Sequence, residues 1–169
     1  MAQQVQLYIY DLSKGMVRAI SQSLLGVQLD GLWHTGVVIF GREYFFGGGA
    51  SISATMDGVS VVGNPALSGI RWCAPGTTIL GQPQQMLALG ETEIPESVVA
   101  DFLSELSSST FRADTYSLFE HNCNHFSNEF SQFLTGNSIP DNIVNLPQAV
   151  LNTPIGNMIR AMMGGSDGI

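Results

Sequence analysis

Leu118-Phe119-Glu120-His121-Asn122-Cys123-Asn124-His125-Phe126-Ser127 places a cysteine where a turn feeds into an amphipathic helix. Phe126, Phe130, Phe133 and Leu134 fall on one face of that helix, and Gly136 follows as a stop. A cysteine at a helix start meets the positive end of the helix dipole and unsatisfied backbone N–H groups. Both favour the thiolate, the nucleophilic form of sulfur. The same N–H groups can stabilise an oxyanion on a substrate carbonyl. The bland reading is a buried core thiol, since position 123 lies one turn before Phe126 on the core side. Asn122, Asn124, His121 and His125 crowd a place that a purely structural core would fill with Leu or Val. The residues alone leave both readings of Cys123 open.

A thiol nucleophile needs a base, and Gly31-Leu32-Trp33-His34-Thr35-Gly36 supplies a candidate. His34 opens a β-branched, nearly all-apolar run to Phe40, which reads as a buried strand. Such a strand would hold the imidazole in place, and Trp33 could wall a narrow cleft. Histidine can take a thiol proton and return it to a leaving amine. His121 and His125 are competing bases, but two residues either side of a helical cysteine they point away from it. Their ordinary role is surface or cap. A metal site is disfavoured, because His-x-Cys-x-His on a helix does not converge on one ion and Cys73 has no CxxC partner. Gly47-Gly48-Gly49 lacks the frame and the lysine of a phosphate loop.

Working outward, Val5, Leu7 and Ile9 alternate with polar or aromatic neighbours and read as a first strand. Asp11 to Ser13 reads as a turn and cap. Met16, Val17, Ile20 and Leu24 have helical spacing, with Gly26 as terminator. Gly41-Arg42 is expected to turn the chain into a second strand, 43–46, making a hairpin. Residues 50–82 read as a loop with β-prone pieces at 59–62 and 69–72, and 84–89 as another strand. Pro95 and Glu96 open a helix whose apolar face is Val98, Val99, Phe102, Leu103 and Leu106. Pro140 and Pro147 are expected to bracket a loop, and a last helix to run from Pro154 through Met163. The sum is one α+β domain over 1–163, followed by a flexible tail, 164–169.

The 169 residues have a formal net charge of −8, 44% hydrophobic and 12% charged residues. Such a chain is too apolar for disorder. It has no basic stripe, so nucleic acid is excluded as a partner. No apolar run reaches the ~18–20 residues of a membrane span. No secretory signal is visible, and Cys73 and Cys123 are expected to be free thiols in the cytoplasm or nucleus. No cofactor is called for.

Val5-Gln6-Leu7-Tyr8-Ile9-Tyr10-Asp11-Leu12-Ser13-Lys14-Gly15, Leu32-Trp33-His34-Thr35, Phe45-Phe46-Gly47 and the Cys123 stretch through Asn128 resemble the PPPDE family. These are desumoylating isopeptidases with a circularly permuted papain-like fold, in which a small antiparallel sheet or barrel packs against helices. The likeness runs from about residue 5 to about 160. Histidine precedes cysteine here, as in a permuted papain. The resemblance implies that His34 and Cys123 are the catalytic pair. It implies cleavage of the isopeptide bond between a SUMO C-terminal glycine and a substrate lysine, through a thioester. SUMO-conjugated proteins would be the partners, and a homodimer is expected. Trp33 would flank a slot for a thin glycine tail, unless it serves ordinary packing. Residues 50–72 depart from the family pattern. No third catalytic member stands out, with Asp11 an unsupported candidate, so a Cys–His dyad is expected. Two alternatives remain: a thioesterase removing palmitate from protein cysteines with the same dyad, and a non-catalytic module that binds ubiquitin-like proteins.

Overall fold

The computed structural model describes residues 1–47, 58–154 and 157. In chain order the elements are β1 (Gln3–Asp11), α1 (Met16–Leu25), β2 (Trp33–Ile39), β3 (Arg42–Phe46), β4 (Ser60–Val61), β5 (Ile70–Cys73), β6 (Gln85–Thr92), α2 (Glu96–Ser107), α3 (Cys123–Thr135), α4 (Asp141–Val144) and α5 (Leu146–Leu151). The strands form one antiparallel sheet in the order β4-β5-β3-β2-β1-β6. The fold is α+β, as expected, and consistent with the permuted papain-like arrangement. The sheet is open, with β4 and β6 as its edges, rather than closed into a barrel.

Period-two alternation sorts the strands into two faces. Val5, Leu7 and Ile9 of β1, Val37 and Ile39 of β2, Tyr44 and Phe46 of β3 and Ile70 of β5 meet one core. That core is closed by Phe126, Phe130 and Leu134 of α3 and by Val99, Leu103 and Leu106 of α2. The helical aromatic face read from 126 to 134 is therefore what holds α3 across β2 and β3. The same alternation puts His34 on the opposite face of β2 from Thr35, directly across from Tyr10 of β1.

That second face carries a buried acid. Glu43 is fully buried; Tyr10 Oη donates to its Oε1 at 2.7 Å and the Gly76 N–H to its Oε2 at 2.9 Å. Burial raises its pKa. Glu43 thus ties β1 and β3 to the turn after β5. Gly36 makes room for it, since a Cβ there would lie 2.6 Å from Glu43 Oε1.

Three expectations shift. The β2–β3 turn is Phe40-Gly41, one residue earlier than expected, because a two-residue hairpin turn needs positive φ at both positions (52° and 69°). Pro140 and Pro147 bracket no loop. Pro140 caps α4 and Pro147 sits in the first turn of α5, where a missing N–H costs nothing. α1 forms as its spacing predicts, but Met16, Ile20 and Leu24 stay exposed, and Ser21 is its buried residue. Of the expected last helix, Pro154 and Asn157 are helical; the rest, the tail 164–169 and Gly48-Gly49 lie outside the described residues.

Candidate active site

Asn122 sets the start of α3. Its Oδ1 accepts the N–H groups of Asn124 (2.9 Å) and His125 (3.4 Å). His125 completes a capping box, its Nδ1 accepting the Asn122 N–H at 3.0 Å. His125 is therefore a capping histidine. His121 is also committed: its Nε2–H donates to the Thr110 carbonyl at 2.6 Å and its ring stacks on Phe111 at 4.6 Å. Neither competing base is free for Cys123. The cap does not use the N–H of Cys123 itself, which lies beside its own sulfur. That group is placed to meet an oxyanion formed beside the sulfur.

Cys123 and His34 line the same cleft, with a volume of about 530 Å³. It opens where the β1–β2 pair ends, so Leu12, Leu32, Trp33 and His34 all reach it. Trp33 borders it, its ring lying against Gly31, where any Cβ would come within 2.6 Å of the indole. The other walls come from far along the chain: Thr78 to Leu80, Tyr116 to Phe119 without Ser117, and Leu146, Pro147 and Val150 around α5. Val59 from the divergent 50–72 region also borders the cleft. The lining is overwhelmingly apolar.

Each member of the pair is almost closed to solvent, at 6% exposure. Burial pushes the Cys123 thiol up to about 11. The backbone N–H groups of Thr35, Asn124 and Cys123 act the other way, favouring the thiolate as expected of a helix start, but burial outweighs them. Burial alone pulls His34 down to about 4. The imidazole sits between Tyr10 and Phe45, with ring centroids 5.8 and 5.9 Å away, and no polar side chain orients it among the described residues. Burial thus favours the neutral thiol and the neutral imidazole, against the local pull of the helix start toward the thiolate. A neutral pair in one cleft can still move a proton from sulfur to nitrogen as a carbonyl is attacked.

His34 also links folding to pH. Its pKa falls from 6.5 unfolded to about 4 folded, so between those values the unfolded chain binds the extra proton. Its contribution is complete above pH 6.5 and is lost as pH falls through about 4. The difference amounts to about 3 kcal/mol, at 1.36 kcal/mol per pKa unit. Denaturant titrations from pH 7 to pH 4 should show that slope, and His34→Ala should flatten it.

Asp11 bonds to its own turn and to Leu32, and no hydrogen bond joins it to His34 among the described residues. Its carboxylate accepts from the N–H groups of Ser13, Gly15 and Leu32 and from the Ser13 hydroxyl. Burial is the largest single effect and raises its pKa, but these bonds together outweigh it and hold the pKa down. It shapes the β1–α1 turn that carries Leu12. The residue that sequence reasoning misses is Asn124. Buried to 2% exposure, its Nδ2 donates to the Trp33 carbonyl at 3.0 Å, and its Oδ1 accepts the Thr35 hydroxyl at 2.8 Å. Its polar character beside a core helix is the one signal the sequence offers. Both cysteines are free, and Cys73 is fully buried in β5, as expected of a structural thiol. No cluster of possible metal ligands occurs among the described residues, and none of their helices is long and apolar enough to cross a membrane.

The family model described as "PPPDE putative peptidase domain" matches residues 3–164. Desumoylating isopeptidase 1 of Homo sapiens is 45% identical over 159 residues, which cover 94% of this chain and 83% of that protein. The Rattus norvegicus protein of the same name matches at 45% with the same coverage. That of Xenopus laevis is 42% identical, again over 94% of this chain and 83% of its own. With the match running over nearly the whole chain and through both the His34 and Cys123 stretches, the chain belongs to the PPPDE peptidase family.

Proposed function

We propose that this chain is a cysteine isopeptidase that cleaves the bond between the C-terminal glycine of SUMO and a substrate lysine. The observation that supports the reading is that His34 and Cys123 line one cleft, with an N–H beside the sulfur that the α3 cap does not use. The relatives' names supply the substrate class.

The chemistry follows from the neutral pair. Cys123 Sγ attacks the glycine carbonyl while its proton passes to His34, so an S–C bond forms and the carbonyl oxygen becomes an oxyanion. The Cys123 N–H stabilises that charge. The C–N bond then breaks, and the imidazolium returns its proton to the departing lysine amine. A water gives a proton to His34 and attacks the thioester. The S–C bond breaks, the proton returns to sulfur, and the glycine carboxylate leaves. Burial keeps both groups uncharged between turnovers, so the ion pair exists only while an acyl group is being transferred. Trp33 would flank the glycine tail, because a large ring beside the sulfur excludes bulky residues.

The apolar lining favours a second reading, a thioesterase that removes palmitate from protein cysteines. Leu12, Leu32, Ile79, Leu80 and Phe119 suit an acyl chain better than a polar peptide. One comparison separates the readings: hydrolysis of a SUMO–lysine isopeptide, a ubiquitin–lysine isopeptide and a palmitoyl-cysteine peptide by the purified chain. Turnover of the SUMO conjugate alone supports the isopeptidase, and turnover of the palmitoyl peptide alone replaces it. Binding of SUMO with no turnover of any substrate would mean a binding module. A homodimer belongs to the same proposal: the exposed Met16, Ile20 and Leu24 stripe is apolar surface that a second copy could cover.

A further inference from the structure

Asn124 joins the two halves of the site. It follows Cys123 directly on α3, yet its side chain reaches β2 on both sides of His34. Its Nδ2 donates to the carbonyl of Trp33, and its Oδ1 accepts from the side chain of Thr35. The same Oδ1 lies 3.7 Å from Cys123 Sγ, a length suited to the weak S–H donor. The amide cannot flip without losing these partners, since the Trp33 carbonyl needs the NH₂ end and the Thr35 hydroxyl meets the oxygen. Thr35 is itself fully buried, and its Oγ1 lies 2.9 Å from Ser127 Oγ, one turn further along α3.

We propose that Asn124, held in orientation by Thr35, is a positioning residue that fixes the Cys123 S–H and the peptide groups flanking His34 in one frame. An apolar residue at 124 could fill the same space but would leave the Trp33 carbonyl and the Thr35 hydroxyl without this partner and the sulfur's rotation and the β2–α3 offset unset. A misplacement of an ångström between reacting groups can cost ~10²-fold in rate. The inference deepens the isopeptidase reading, and its kinetic arm rests on that reading.

The test crosses stability against the hydroxyl. Thr35→Val keeps the volume and loses the hydroxyl; Thr35→Ser keeps the hydroxyl and loses a methyl. The expected result for Thr35→Val is a kcat at least ~10-fold lower with KM nearly unchanged, and for Thr35→Ser near-wild-type kcat, whichever melts lower. If kcat instead follows melting temperature across the pair, Asn124 and Thr35 merely pack.

A second arm needs no isopeptidase activity: alkylation of Cys123 by iodoacetamide at pH 9. The titratable groups that line the cleft with the sulfur are His34, neutral at that pH, and Tyr116, whose phenol burial keeps protonated, with a smaller contribution from Cys123. Asn124→Ala removes an acceptor that favours the thiol, so alkylation should quicken severalfold. Asn124→Asp puts a carboxylate at the sulfur, so alkylation should slow severalfold. Loosened packing would quicken both. Shifts of the same sign, or none, overturn the proposal even if wild type cleaves SUMO conjugates. Shifts of opposite sign without any SUMO cleavage would sink the isopeptidase reading and leave the positioning role standing. Should the Asn124 variants fail to fold, alkylation of the Thr35 pair decides, with Thr35→Val departing from wild type and Thr35→Ser matching it.

Discussion

Cys123→Ala should lower hydrolysis of a SUMO–lysine isopeptide by roughly 10⁴-fold or more while leaving the fold intact. The expectation of such a large loss follows from covalent catalysis, in which removing the nucleophile removes the path and not just one contact. The intact fold follows from where Cys123 sits. The α3 start is built by Asn122 and His125, and the helix is held down by Phe126, Phe130 and Leu134, none of which depends on the sulfur. Truncating a small buried side chain costs on the order of 1 kcal/mol here, well inside the stability of an ordinary domain. Circular dichroism and a melting curve, run beside the assay, separate lost chemistry from lost structure. Retained hydrolysis in a folded Cys123→Ala protein would remove the thioester from the account.

His34→Ala should lower kcat/KM by about 10³-fold, within the range of a general acid–base residue. Its pH dependence is more telling than its size. In wild type both groups hold the working protonation state from above about pH 4 to below about pH 11, so kcat/KM should be flat through neutrality. It should fall on the acid side as His34 takes a proton in advance. Without His34, activity depends on the thiolate fraction. The residual rate should then rise about tenfold per pH unit toward 11. The neutral plateau and its bend near pH 4 should vanish. A His34→Ala profile parallel to wild type would mean that another group takes the thiol proton.

Much of this site is legible in the amino-acid sequence, for a physical reason. β1, α2 and α3 carry periodic apolar faces and β2 a continuous apolar run, and these are buried as marked, except that Val98, read onto the apolar face of α2, is exposed. His34 and Cys123 lie at element starts inside those patterned stretches, so their positions follow from them. The Pro140–Pro147 segment reads wrongly as a loop because a proline serves equally to end a helix and to begin one, and sequence spacing does not say which. The cleft is not legible at all. Its walls come from the turn after β5, the stretch around Tyr116 and α5, which only tertiary packing brings together. The charge state of Cys123 escapes the sequence for the same reason. A helix start is a local feature that favours a thiolate, whereas desolvation depends on the whole surrounding fold, and desolvation wins.

Asn124 divides in the same way between local and tertiary information. Its sequence neighbourhood shows a polar residue beside a cysteine and gives no sign of what it faces. Its three partners, Trp33, Thr35 and the neighbouring sulfur, come from two elements that the sheet and α3 bring into contact. The exposed stripe of α1 is the converse case. Met16, Ile20 and Leu24 have the spacing of a core-facing helix and yet face outward. Periodicity identifies the helix but not the surface that covers it.

The central claim is that Cys123 attacks the C-terminal carbonyl of SUMO. It is tested most directly by offering the chain SUMO with an electrophile in place of the scissile amide, followed by intact-mass and peptide mapping. The account predicts one SUMO adduct per chain, located on Cys123, absent in Cys123→Ala and slowed in His34→Ala. A folded wild-type protein that forms no adduct, or one that forms it on Cys73 or another residue, would contradict it.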